Sequence, residues 1–446
     1  MTSTPALPRR STGPGLSTLQ GGALTIGAVL GTGVIALPAL AAGVAGPASL
    51  LAWLLLVLLS IPLACTFGAL GARFPDSGGV STYARRAFGP KVGAAIGWVF
   101  YFAIPIGAPP AAGFAGGYVA DTFGGGRATQ LGTVVVLTLL VGGMNWFGIR
   151  ISSRVQLALT GVLALLLLVT VLAALPHAKL DNLTPFAPHG WSGIGAAAAL
   201  LIWAFAGWEA VSSLSSEYRN PRTDIPRATM IAIAVIGLLY LGVAAAVVLV
   251  LGPAAGTSAA PLADLLAIGL HGPARWITTV VAVLLTIGAM NAYFAGGAKL
   301  GAALGRDGAF PRWFARGSTV GEVPRRSLLV VVGLCLLSLL AAALIEMDLA
   351  GSVLLATGSF TLVYVIGTAA AVRLLPAGSW ARRGAMFSFL CVAAVLWMTG
   401  IQVLWALGVA AASLIYGALS DRLTKRRASR PMPASPASID GSCAIP

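Results

Sequence analysis

Glu209 lies in the run Leu201-Ile202-Trp203-Ala204-Phe205-Ala206-Gly207-Trp208-Glu209-Ala210, and it is the one acidic residue set deep in any long apolar stretch of the sequence. Glu346 and Asp348 fall at the end of such a stretch, and Asp264 falls between two of them. A carboxyl group in hydrocarbon costs at least ~2.5 kcal/mol, and acids found there mark proton, ion or substrate pathways unless they merely pair with neighbouring helices. The residue type therefore fits a proton carrier, and it fits a helix-to-helix tie as well. Gly207, two residues earlier, adds a second chemistry. A glycine at mid-span lets the backbone leave the helix. Irregular backbone at that depth is tolerated only inside protein or beside a water-filled cavity.

An earlier run has the same features. Gly27-Ala28-Val29-Leu30-Gly31-Thr32-Gly33-Val34-Ile35-Ala36-Leu37-Pro38 carries three glycines and a proline. Each glycine costs ~1 kcal/mol against alanine in a helix interior. Close packing through small residues would also account for them. Read as a break, the run frees N–H groups around Gly31, Thr32 and Gly33 at a half-helix N-terminus, where a carboxylate can bind. Carbonyls freed around Ala204, Phe205 and Gly207 can accept from an ammonium group. An α-amino acid carries those two charges close together. Trp203, Trp208 and Ile106 are the candidates to contact its side chain.

The elements that must position these groups are membrane spans. The 446 residues are 58% hydrophobic and only 9% charged, where a soluble domain needs roughly a quarter charged residues to cover its surface. Crossing the hydrocarbon takes ~20 apolar residues. Twelve stretches qualify, at about 18–43, 47–72, 92–121, 128–148, 155–175, 194–216, 228–251, 274–300, 327–345, 350–374, 384–399 and 401–420. The formal charge of +15 could suggest a nucleic-acid partner, but its placement argues for basic loops beside a membrane. With the N-terminus inside, 25 of 28 basic residues fall on one side, and only Arg127, Lys179 and Arg275 fall on the other. That asymmetry predicts an even number of spans with both termini cytoplasmic.

The two interrupted spans are the first and the sixth. They correspond if spans 1–5 and 6–10 are inverted repeats, the arrangement in which paired broken helices mark a transport site. The expected architecture is thus an all-α integral membrane protein of twelve helices in a 5+5 inverted-repeat fold, with helices 1 and 6 broken. Its parts are a tail (1–17), a first repeat (18–175), a second repeat (194–374), two further helices (384–420) and a basic tail (421–446). Both tails are rich in Pro, Ser or Ala and read as disordered. Arg9 and Arg10 are followed by polar residues rather than an apolar core, which argues against a cleaved signal peptide. Cys65, Cys335, Cys391 and Cys443 form no CxxC pair, and His177, His189 and His271 are widely spaced, so no metal site is expected. No nucleophile–base pair or phosphate loop stands out, which points away from an enzyme.

These residues resemble the amino acid–polyamine–organocation superfamily over about residues 18–420. Gly31-Thr32-Gly33 is similar to its first-helix motif, and Phe205-Ala206-Gly207-Trp208-Glu209 to its broken sixth helix. Phe74-Pro75-Asp76-Ser77-Gly78-Gly79, with Tyr83 to Pro90, resembles the signature between helices 2 and 3. Glu217-Tyr218-Arg219-Asn220-Pro221 and Arg306-Asp307-Gly308-Ala309-Phe310-Pro311 resemble later inner loops. Leu30 to Val34, Pro38 to Ala41 and Pro105 to Pro109 carry a closer likeness to bacterial exporters of methionine and branched-chain amino acids. The resemblance implies secondary active transport of neutral hydrophobic amino acids by alternating access, in the direction of export, with no cofactor and as a monomer or homodimer. It also places substrate contacts near Asn291 and Tyr293, which fit equally as packing or hydrogen-bonding residues. Trp203 matches a substrate-stacking tryptophan of arginine/agmatine antiporters, which keeps a cationic amino acid or polyamine exchanger open. A membrane sensor that binds without flux is a further alternative. Some proton-coupled relatives carry a lysine in helix 5, and the stretch Val155–Leu175 has none. That leaves Glu209 as the candidate for proton coupling. Sodium coupling would need hydroxyl ligands, for which Thr286 is available.

Overall fold

The computed structural model describes residues 15–428, apart from residues 32, 202–203, 205, 259, 271–273 and 348. Among these residues the regular structure is helical, and the β pairing is one isolated bridge between Leu16 and Tyr218. The first pass is split into α1 (Thr18–Leu30) and α2 (Gly33–Ala45). Next come α3 (Ser49–Arg73), the short α4 (Val80–Phe88), α5 (Pro90–Phe123), α6 (Gly126–Trp146) and α7 (Ile149–Ala174). The sixth pass is α8 (Gly190–Leu201) followed, beyond Gly207, by a tighter 3-10 segment, Ala210–Glu217. Then follow α9 (Pro221–Ala246), α10 (Pro261–Leu270), α11 (Ala274–Arg306), α12 (Arg325–Leu344), α13 (Leu349–Leu374), α14 (Trp380–Thr399) and α15 (Val403–Ala428).

Length and apolarity alone mark nine crossing stretches among the described residues. One of these, Thr18–Arg73, contains two passes, α1–α2 and α3. The broken sixth pass and α14 complete the twelve. Passes from the two halves of the chain pack on one another. α3 lies on α9, α5 on α11 and α6 on α12, so the second, third and fourth passes each pack on their counterparts five passes later. The first and sixth passes run alongside each other, α2 against α8 and α1 against Ala210–Glu217.

Several ends differ from the sequence expectation, for local reasons. α9 begins at Pro221 rather than at 228, because proline suits the first turn of a helix and Asp224 accepts from the Asn220 N–H at 3.0 Å. α11 continues to Arg306, well beyond the ~20 residues that the hydrocarbon requires. The signature around Tyr83 forms the amphipathic α4 instead of a loop, and Asp264 sits in α10. α5 runs unbroken through Pro105, Pro109 and Pro110.

Leu329, Leu337 and Leu340 of α12 and Leu404, Leu407, Leu414 and Ile415 of α15 are all exposed. Rows of exposed large apolar side chains along two helices fit lipid around them. The side of the molecule where Arg85 and Arg306 lie is its basic face, and polar locks fasten it. Arg306 holds the Asp76 carboxylate at 3.0 and 3.2 Å and Asp307 at 2.9 Å, and Arg85 reaches Asp307 at 2.8 Å. Partial burial alone would push the Asp76 carboxyl up. Hydrogen bonds from Thr82 and Gly78, with the Arg306 charge, outweigh that and hold it below the ordinary carboxylate range.

Candidate functional site

α1 starts on a reciprocal cap. The Gln20 N–H donates to the Ser17 hydroxyl at 3.3 Å, and the Ser17 N–H donates to the Gln20 side chain at 3.1 Å. It stops at Gly31, whose φ of +37° an L side chain rarely adopts. α2 begins two residues later at Gly33. The first N–H groups of a helix have no intrahelical partner and carry the positive end of its dipole, so α2 opens on a place suited to a carboxylate.

The sixth pass breaks opposite this point. Gly207 has φ +137° and lies against the first break: a Cβ there would stand 2.6 Å from Val29 Cγ2, 2.7 Å from Val29 N and 2.8 Å from Ala28 C. One hydroxyl bridges both breaks. Tyr240 of α9 donates to the Val29 carbonyl at 2.6 Å and stands 3.3 Å from the Ala204 carbonyl. Glu209 closes the sixth break on its own side. One carboxylate oxygen accepts from the Gly207 N–H at 2.9 Å and from the Tyr364 hydroxyl. The other accepts from the Tyr293 hydroxyl at 2.8 Å. Glu209 is fully buried, so every lone pair it offers must be met by protein.

Between the breaks lies a cavity of about 50 Å³. Gly31, Gly33 and Ala204 line it from the two broken passes. α5 presents Ile104, Gly107, Ala108 and Ala111, which share one helix face by their spacing. Met290 and Tyr293 of α11 and Phe360 of α13 close the far wall. No charged side chain is among its described lining residues. The space suits a few waters, and a larger guest requires the helices to part.

The structure thus brings Gly31, Gly33, Ala204 and Gly207 together, with Glu209 beside them. Thr32, Trp203 and Phe205 lie outside the described residues. Three other sequence candidates are placed elsewhere. Ile106 is two residues round the helix from Ile104 and lines a separate cavity of about 580 Å³ against α6 and α12. Trp208 turns past Gly207 into a small pocket with Thr25, Phe67 and Ser212. Asn291 is fully buried and bonds Asn145 of α6 at 2.9 Å and Gln156 of α7 at 2.8 Å, because the neighbouring Met290 and Tyr293 take the cavity face of α11. Sequence reasoning passed over Tyr240, Tyr364 and Met290. A tyrosine among apolar residues gives no signal of what its hydroxyl will meet.

The close approach at Gly207 carries an expected result. Gly207→Ala forces a methyl group into the Val29 backbone and adds strain at a left-handed φ. Overpacking costs about 1–3 kcal/mol, with backbone strain of order 1–3 kcal/mol more. Thermal unfolding in detergent should fall clearly below the parent, and Gly195→Ala, whose Cβ would meet nothing, should not shift it.

Comparison with known proteins places this geometry. A family model described as "Amino acid permease" matches residues 16–428. The chain is 31% identical over 404 residues to the uncharacterized amino acid permease YecA of Bacillus subtilis, covering 89% of this chain and 94% of that one. It is 33% identical over 402 residues to the L-methionine/branched-chain amino acid exporter YjeH of Escherichia coli, covering 88% and 93%. Among solved structures, MhsT in complex with L-phenylalanine superposes with a TM-score of 0.64 at 14% identity, over 88% of this chain and 100% of that chain, a likeness of fold. With two broken passes facing each other across a small cavity in a twelve-pass membrane fold, the chain belongs to the amino acid permease family.

Proposed function

We infer that the chain is a secondary active transporter of neutral hydrophobic amino acids, methionine and the branched-chain residues among them. It works by alternating access and exports its substrate in exchange for a proton carried by Glu209. Both termini face the cytoplasm on this reading, consistent with the basic face. The observation that carries it is the wall chemistry of the cavity between the breaks. The α2 N-terminus offers a seat for a carboxylate, and the carbonyls held near Tyr240 offer acceptors for an ammonium. Ile104, Met290 and Phe360 offer only apolar contact to the remainder of the substrate. A guanidinium or a second ammonium would meet no carboxylate among the described lining residues, since Glu209 is engaged by Gly207, Tyr293 and Tyr364. The similarity to a methionine and branched-chain amino acid exporter supports the same substrate class.

Counterflow in proteoliposomes tests the reading. Vesicles loaded with unlabelled methionine should take up radiolabelled methionine, and external leucine, isoleucine or valine should compete while arginine does not. Competition by arginine or a polyamine would assign the site to a cationic exchanger instead. Saturable binding without counterflow would make the protein a sensor.

A further inference from the structure

α1 is a lever. It ends at Gly31, whose backbone is not helical, so it can move without carrying α2 with it. Besides the Val29 carbonyl in its last turn, which Tyr240 holds, a carbonyl in the body of the helix is held from outside. Ala23 O accepts from the Thr160 hydroxyl of α7 at 3.2 Å, and the Gln156 amide nitrogen lies 3.5 Å from it. Gln156 Nε2 donates to Thr160 Oγ1 at 3.2 Å. Its Oε1 accepts from Asn291 Nδ2 of α11 at 2.8 Å. Asn291 in turn accepts from Asn145 Nδ2 of α6 at 2.9 Å and from the Ser152 hydroxyl at 2.5 Å. Gln156, Asn145, Ser152, Thr160 and Asn291 are all buried.

Two glycines leave room for that amide. A methyl group at Gly27 of α1 would collide with Gln156 Nε2, and one at Gly288 of α11 would stand 3.1 Å from it. The Gln156 side chain therefore fills the seam where α1 meets α11, and every group in the chain from Ala23 to Asn145 is uncharged. A satisfied polar network in a dry interior defines one arrangement, because breaking any member strands its partners.

We propose that Gln156 is a positioning residue, a neutral clasp that fastens α1 to α7 and α11. Its release is the step that opens the cavity toward the basic face, and that step takes neither a proton nor a metal cation. Proton sensitivity then belongs to Glu209 alone. The proposal rests on the alternating-access part of the functional reading, but not on the identity of the substrate.

The test is substrate-free labelling of Met290→Cys with a membrane-impermeant thiol reagent applied from the basic face, with the same protein lacking that substitution as the blank for native cysteines. Gln156→Ala should speed labelling about fivefold to tenfold, the factor expected when one or two interhelical hydrogen bonds in hydrocarbon are lost. The increase should be the same from pH 5 to 8 and with sodium or potassium. Gly27→Ala, which expels the amide, and Thr160→Val, which removes one bond, should move the rate in the same direction and give folded material if Gln156→Ala does not. Gln156→Glu should make the ratio of its labelling rate to the parent's change with pH, whereas that ratio stays constant for Gln156→Ala. Labelling unchanged across the folded variants, or a parental rate that itself responds to sodium, overturns the clasp. Failure of methionine counterflow with labelling as expected would instead fault the substrate reading alone.

Discussion

Glu209→Gln should uncouple the transporter without unfolding it. The side chain keeps its shape, and its amide oxygen can still accept from the Gly207 N–H and the Tyr364 hydroxyl. The amide nitrogen would then face the Tyr293 hydroxyl, which can rotate to accept. Buried polar groups stay satisfied, so the melting temperature should move little. What disappears is the capacity to take and release a proton. One proton exchanged per substrate across one pH unit supplies about 1.4 kcal/mol, enough for an about tenfold concentration ratio of a neutral amino acid. Vesicles with equal methionine inside and outside, in medium one pH unit more acidic than their lumen, should expel it toward that ratio in the parent. In Glu209→Gln the ratio should stay near one, while exchange of methionine for methionine persists. A variant that still builds the ratio would reduce Glu209 to a tie between the sixth pass, α11 and α13.

The difference between what the sequence carries and what it hides is visible at this same carboxylate. Glu209 stands out because charge is rare and costly in hydrocarbon, so its place in an apolar run is informative by itself. The two breaks are legible for a similar reason, since Gly31, Gly33 and Gly207 weaken helices that ought to be strong. Tyr293 and Tyr364, which hold the carboxylate, come from passes 84 and 155 residues further on. Aromatic residues are ordinary in spans, and only folding brings those two hydroxyls to one carboxylate. Asn291 shows the converse. It is polar and lies beside two cavity residues, but one step along a helix turns a side chain by about 100°, and that step decides between substrate and Gln156. Most of the spans follow from length and hydropathy, whereas the ends of α9 and α11 depend on a capping proline and on helix that continues past the hydrocarbon.

That continuation hides a buried ion pair. Lys299 reads in sequence as one more inner basic residue at the end of the eighth span, and Glu217 as a loop acid. Because α11 runs on to Arg306, Lys299 sits inside a packed helix at 3% side-chain exposure, 2.7 Å from Glu217 at 4%. Lys299 also donates to the carbonyls of Thr319 at 2.8 Å and Gly317 at 3.3 Å, and the second Glu217 oxygen accepts from the Gly321 N–H at 3.0 Å. The pair thus binds the end of the sixth pass, α11 and the 317–321 segment into one unit. Removing one partner strands the other charge out of water, which costs about 3–5 kcal/mol, whereas replacing both with apolar residues of similar volume is often neutral or stabilising. Lys299→Met should therefore lower thermal and denaturant stability in detergent sharply, and Glu217→Met should do the same. The double variant should recover most of the loss, because no buried charge is left and the two methionines can fill the vacated volume. Additive losses in the double variant would mean that the backbone bonds to Thr319, Gly317 and Gly321, and not the opposition of charges, hold this corner of the fold together.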